Sequence, residues 1–138
     1  MTQSVTDFKA GQVVLVTAGA SGIGRCLAES YLKHGCKVHI CDISESAIDN
    51  FLSDNPSATA SQADISKPEQ VEQLFKELTA QHGRLDILVN NAGIAGPTGA
   101  VEDLDIDEWN TTIDIDLNGP FYVTRKAVPM LKQAGGGS

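Results

Sequence analysis

Apolar positions along the chain follow two alternating rhythms. Val13, Val14, Leu15 and Val16 form a continuous β-branched block, which reads as a buried strand. After a turn of small residues, Ile23, Leu27 and Tyr31 recur at helical spacing, and Gly35 offers a natural stop. "KVHICD" (37–42) predicts a second strand, and "ISESAIDNFLSDNP" predicts a short helix closed by Pro56. A third short strand is expected at "TASQAD". The helix that follows, "SKPEQVEQLFKELTAQHG", carries Ser66 and Glu69 as a capping box, Pro68 in its first turn, Val71, Leu74, Phe75 and Leu78 as an apolar stripe, and Gly83 as its stop. "LDILVN" (85–90) predicts a fourth strand. Residues 99–134 then read as one or two helices, interrupted at Gly119 and Pro120.

Strands alternating with helices imply right-handed crossovers, hence a doubly wound α/β unit in which helices cover both faces of a parallel sheet. Ligands of such sheets sit beyond the carboxyl ends of the strands where the strand order reverses. In the dinucleotide-binding arrangement that point lies between the first and fourth strands. The first strand runs into "TAGASGIG" (17–24), where Gly19, Gly22 and Gly24 separate it from a helix start. Unpaired N–H groups there carry partial positive charge, and a turn without side chains lets a phosphate approach them. Asp42 closes the second strand twenty residues after Gly22, at the spacing where a carboxylate accepts from the ribose hydroxyls of a dinucleotide. The alternative is a turn aspartate capping the next helix. "DISES" holds no cation to welcome a 2′-phosphate, so the sequence favours NAD over NADP.

Composition narrows the choice further. A length of 138 residues suits one domain. The net charge of −8, with ten scattered basic residues, argues against a nucleic-acid partner. No apolar run is long enough for a membrane span, and "MTQSVTDFKAGQ" lacks the basic-then-apolar pattern of a secretory signal, so a cytoplasmic setting is the expectation. Cys26, Cys36 and Cys41 read as buried free thiols, and His34, His39 and His82 share no ligand-like spacing, so no metal is expected.

The ordered set "TAGASGIG", Ala63–Asp64 with Ile65, and "NNAG" (90–93) resembles the short-chain dehydrogenase/reductase family. "EWNTTIDIDLNGPFYVTRKAVPMLK" is similar to the helical region after that motif, so the likeness covers almost the whole chain. The resemblance implies a Rossmann-type sheet whose first four strands lie in the order 3-2-1-4, with NAD as cofactor. It implies that Gly19, Ser21, Gly22, Ile23 and Gly24 surround the pyrophosphate, that Asp42 and Ile43 contact the adenosine ribose, and that Asp64 and Ile65 border the adenine. Asn91, Ala92 and Gly93 would line the cofactor at the end of the fourth strand, while Asn90 would either join them or tie strand ends together. The implied substrate is a small alcohol or ketone, exchanged by hydride transfer. The implied assembly is a homo-oligomer, through the helices after residue 100 and the otherwise unpaired edge of the fourth strand.

Departures from the family pattern bear on function. Ala18 stands where the family has glycine, which strains the backbone if φ there is positive. Asp116 aligns with the catalytic asparagine, whose main-chain carbonyl is implied to hold a water in the proton relay; Asn118 falls two positions later. Family members are usually longer, and their catalytic serine and Tyr-x-x-x-Lys pair follow the last residue here, so 1–138 reads as a dinucleotide-binding domain incomplete at its C-terminal end. "YVTRK" does place Tyr122 four residues before Lys126, but inside the segment that aligns with an earlier helix, and it reads as coincidence. "GGGS" is either a linker or, preferably, the turn before a fifth strand. Two function classes stay open: the NAD-binding part of an oxidoreductase, or a non-catalytic nucleotide-binding fragment acting by association. A methyltransferase is disfavoured by "NNAG".

Overall fold

A computed structural model describes residues 8–138. The reading of residues 1–7 as free of a secretory pattern lies outside the described residues. β1 (Val13–Thr17), β2 (Lys37–Asp42), β3 (Thr59–Gln62) and β4 (Ile87–Val89) form one parallel sheet in the order β3-β2-β1-β4. Val13 pairs with Lys37, His39 with Thr59 and Val14 with Ile87, so the carboxyl ends of β1 and β4 finish side by side. β4 is shorter than the 85–90 expected, because only its middle residues pair with β1.

β1 is buried throughout, as a central strand covered on both faces must be. Val14 and Val16 pack with Ala28 of α1 (Gly22–Lys33) and with Ile48 and Phe51 of α2 (Glu45–Asp54). Val13 and Leu15 face Val71, Leu74, Phe75 and Leu78 of α3 (Pro68–His82). The apolar stripe read from the sequence is therefore the docking face of α3. α1 ends as expected: Gly35 turns at φ 81°, and the N–H of Cys36 donates to the carbonyl of Tyr31 over 3.1 Å.

The expected capping box at Ser66 and Glu69 does not form. Lys67 occupies the cap of α3 without a side-chain bond, while the Ser66 hydroxyl donates to Asp64 Oδ1 over 2.6 Å. A carboxylate two residues away outcompetes the helix for that hydroxyl. The interruption expected at Gly119 and Pro120 takes a milder form. α4 (Ile106–Ile113), a π-helical segment (Asp114–Asn118) and α5 (Gly119–Gln133) run on without a break. The widened turn shifts the carbonyl register just ahead of Pro120, which has no N–H to donate. Gly119 is required for another reason: a β-carbon there would come within 2.8 Å of Ile65 Cδ1.

The outer edge of β4 is not wholly open. The N–H of Ser138 donates to the carbonyl of Asp86 over 3.2 Å, and the N–H of Leu88 donates to the carbonyl of Ser138 over 2.7 Å. That is the bond pattern of a parallel ladder. Among the described residues, no helix is long and apolar enough to cross a membrane.

Candidate functional site

β1 leaves the sheet at Thr17 and turns sharply at Ala18, whose φ of 49° is left-handed. The sequence raised that conformation as a condition, and the structure meets it. Gly19 follows with its α-carbon against Ile40, where an added β-carbon would lie 2.6 Å from Cγ2. Ser21 starts α1 without a side-chain capping bond, and Gly22 has φ 56° with nothing near the space a β-carbon would fill. The first turn of α1 thus presents backbone N–H groups on an unobstructed surface. Ile23 is 76% exposed beside it, whereas Gly24 is buried against the Ala18 carbonyl and the Asn91 amide.

Asp42 reaches from the end of β2 to this turn. Its Oδ2 accepts from the Ala20 N–H over 3.2 Å, and its Oδ1 accepts from the Ser44 N–H over 3.1 Å. The capping alternative does not hold, because Ser44 is the cap of α2 and its hydroxyl accepts from the Ala47 N–H. Next to Asp42 lies a cleft of about 160 Å³, lined by Asp42, Ile43, Asp64, Ile65, Ala92 and Gly93 among others. Six residues proposed from sequence therefore share one wall system at the carboxyl end of the sheet. Ala18, Cys41, Ala63, Ile94 and Ile115 complete the lining, and the sequence reading did not include them in the site. Alternation along β2 was the available signal for Cys41. Ile115 becomes a neighbour only through tertiary packing.

The two asparagines at the end of β4 divide their work differently from the expectation. Asn91 Nδ2 donates to the carbonyls of Thr17 and Ala18, at 3.1 and 3.2 Å, and so ties the ends of β1 and β4. The backbone N–H groups of Asn91 and Ala92 both donate to Thr17 Oγ1. Asn90, the residue suspected of that tie, instead donates to Thr124 Oγ1 on α5 over 3.0 Å. The fully buried Thr17 hydroxyl, missed in the sequence, is the hub of the strand-end lock.

Asp116 sits in the π-helical segment, and its Oδ1 accepts from the Ile94 N–H over 2.8 Å. The same oxygen would lie 3.3 Å from a β-carbon on Gly93. An ionised carboxylate only accepts, so this position fastens the loop after β4 and offers no donor. Neither Tyr122 nor Lys126 lines the cleft. Tyr122 packs against the α3 side of the core, and Lys126 is ion-paired with Glu72.

The cysteines depart in part from expectation. Cys36 and Cys41 are buried, and burial pushes the Cys41 thiol up to about 12, whereas Cys26 is exposed on α1. Helical spacing turns Cys26 away from the sheet.

Asp42, bound to the glycine turn through Ala20, thus shares one cleft with Ala92 and Gly93 of the strand end, while Gly19, Ser21, Gly22, Ile23, Gly24 and Asn91 lie outside its lining. The family model for short chain dehydrogenases matches residues 12–138. The chain belongs to the short-chain dehydrogenase family. It is 36% identical over 129 residues to a short chain dehydrogenase/reductase of Macrophomina phaseolina, covering 90% of this chain and 74% of that protein. It is 37% identical to an NAD-dependent glycerol dehydrogenase of Listeria innocua, covering 97% of this chain and 51% of the relative. The structure of a 3-ketoacyl-(acyl-carrier-protein) reductase from Brucella melitensis complexed with NADH superposes with a TM-score of 0.87 at 32% identity, over 91% of this chain and 52% of that one. The chain thus spans about half the length of the last two. Its family is one of oxidoreductases that use nicotinamide cofactors.

Proposed function

We propose that this chain is the NAD-binding part of an oxidoreductase that interconverts a secondary alcohol and a ketone. The observation that carries the reading is Asp42, which lines the cleft and whose carboxylate is fastened to the glycine turn by Ala20. A fixed carboxylate there accepts from the 2′- and 3′-hydroxyls of a ribose and repels a 2′-phosphate. The two relatives that name the cofactor point the same way for themselves: one is NAD-dependent and the other is complexed with NADH.

In this reading the N–H groups after Ser21, at Gly22, Ile23 and Gly24, meet the pyrophosphate, with Gly19 leaving room for the turn. Ile43 packs on the ribose, Asp64 and Ile65 border the adenine, and Asn91, Ala92 and Gly93 carry the strand end toward the nicotinamide. The bound dinucleotide supplies the hydride acceptor or donor. Asp116 holds the loop at Gly93 and Ile94 in place. The described residues act as one dinucleotide-binding domain. Val101, Ile106, Trp109 and Phe121 are large, apolar and exposed, which supports assembly into a homo-oligomer through this region.

Calorimetric titration with NADH and NADPH tests the cofactor. NADH is expected to bind more tightly to the unmutated chain. Asp42→Ala removes charge-assisted hydrogen bonds and should weaken NADH by about tenfold or more while narrowing the gap to NADPH. Tighter NADPH binding by the unmutated chain would overturn the assignment. A second reading, nucleotide binding without catalysis by this chain, rests on the exclusion of Tyr122 and Lys126 from the cleft.

A further inference from the structure

On the face of the sheet that carries α3, five polar side chains form a continuous path. His82 Nε2 lies 2.7 Å from Thr59 Oγ1, which lies 2.7 Å from His39 Nδ1. His39 Nε2 lies 2.8 Å from Ser61 Oγ, which donates to Glu77 Oε2. His39 is fully buried at the centre of β2, while His82 and Glu77, both on α3, are half-exposed at the two ends. The carboxylate sets the direction of every bond. Glu77 can only accept, so Ser61 donates to it and accepts from His39 Nε2–H. His39 Nδ1 is then an acceptor, filled by the Thr59 hydroxyl, which itself accepts from His82 Nε2–H. The path has no slack: each hydroxyl donates once and accepts once.

We propose that this chain of hydrogen bonds is an acid-released latch that holds the edge strand β3 between β2 and α3. Among the described residues, Thr59 and Ser61 are half of a four-residue strand paired on one side only, so the latch supplies side-chain bonds at an edge to which those residues add no further strand. A proton added at His39 Nδ1 converts the acceptor into a donor. The Thr59 oxygen then faces two N–H donors, and its own proton loses its acceptor.

The surroundings favour the neutral ring. Burial, with His82 adding to it and Glu77 opposing, pushes His39 down to about 4. Burial and the Lys37 ammonium push His82 down as well. Lys37 and Cys41 share the His39 side of β2 by alternation. α3 contributes Glu77 and His82, β1 contributes Val13, Leu15 and Thr17, none of them titratable, and on α5 Lys126 is paired with Glu72. α2 covers the opposite face, where its Asp54 is held by Arg25. Because the folded value lies below the ordinary 6.5, the latch is fully closed above that pH and loosens as pH falls toward about 4.

Hydrogen exchange at the β3 amides, divided by intrinsic rates, reads the latch directly. The opening constant of β3 is expected to rise on the order of fifty-fold between pH 7 and pH 4.5, the factor set by folded and unfolded values of about 4 and 6.5, and β1 should change less. His39→Gln should flatten that response. Parallel changes in β3 and β1, or an undiminished response in His39→Gln, would overturn the proposal. Should that variant not fold, imidazole ¹⁵N shifts of the unmutated protein decide. A neutral Nε2–H tautomer persisting to about pH 4 supports the latch, and titration near 6.5 refutes it.

Discussion

The carbonyl oxygen of Ala18 occupies the space that a β-carbon on Gly24 would need. The same carbonyl accepts from Asn91 Nδ2, so one oxygen joins the glycine turn, the start of α1 and the end of β4. Ala18 reaches this position only by adopting φ 49°, which for a residue with a β-carbon is strained by roughly 1–2 kcal/mol. The absence of a side chain at Gly24 is therefore a packing requirement as well as an opening for a ligand.

Substitutions at these two positions should move stability in opposite directions. Gly24→Ala forces the turn and α1 apart and should cost about 1–3 kcal/mol, with loss of nucleotide affinity as the turn shifts. Ala18→Gly relieves the strain and should stabilise by up to about 1 kcal/mol, offset in part by the freer unfolded chain. Urea midpoints of the two variants, compared with the parent, check both signs. A destabilised Ala18→Gly would contradict the strain argument.

Asp86 links the entry of β1 to the segment before β4. Its Oδ2 accepts from the Val13 N–H over 2.8 Å and from Arg84 Nε over 3.0 Å, and its Oδ1 meets Arg84 Nη2 at 2.6 Å. Burial pushes its carboxyl up, but the Arg84 guanidinium and the Val13 N–H outweigh it and hold it below the usual range. A folded value below the unfolded one contributes stability above the ordinary 3.8, lost as pH falls through the folded value. Asp86→Ala should cost about 1–3 kcal/mol at pH 7, because it strands a buried N–H, and the gap to the parent should narrow in acid. A gap that stays constant from neutral pH into the strongly acid range would show that the carboxylate's charge is irrelevant.

Thiol chemistry should separate the three cysteines. Only the thiolate reacts, and Cys41 at about 12 and the buried Cys36, also pushed up by burial, are protected twice over. Under native conditions near pH 8, a disulfide dye should titrate one thiol, Cys26, and three after denaturation. Fast reaction of a second thiol would mean that the sheet opens far more readily than its packing implies.

The 138-residue chain alone is expected to leave NADH absorbance unchanged with a panel of secondary alcohols and ketones, because neither tyrosine–lysine partner lines the cleft. Turnover that disappears in Tyr122→Phe would show that "YVTRK" is catalytic after all.

What the sequence determined by itself is what depends on near neighbours along the chain. The β-branched block at Val13–Val16, the helical stripe of α3, and the glycines at 22, 35 and 83 each encode a local backbone choice. Alternation of the elements then leaves few ways to wind the sheet. The turn and Asp42 were legible because both lie at strand ends, where the topology brings them together whatever the side chains do. Partner choice between distant elements is different. Asn90 and Asn91 are chemically identical, and only the packing of β4 beside β1 and of α5 against its end decided that Asn91 meets Ala18 while Asn90 meets Thr124. Ser66 had a helix to cap and an aspartate to bind, and the packed turn chose Asp64. His39 and His82 lie far apart in sequence, and the register of β2 on β3 placed Thr59 between them. Hydrogen bonds of this kind are selected by distances of a few tenths of an ångström, which are set only once the core has packed.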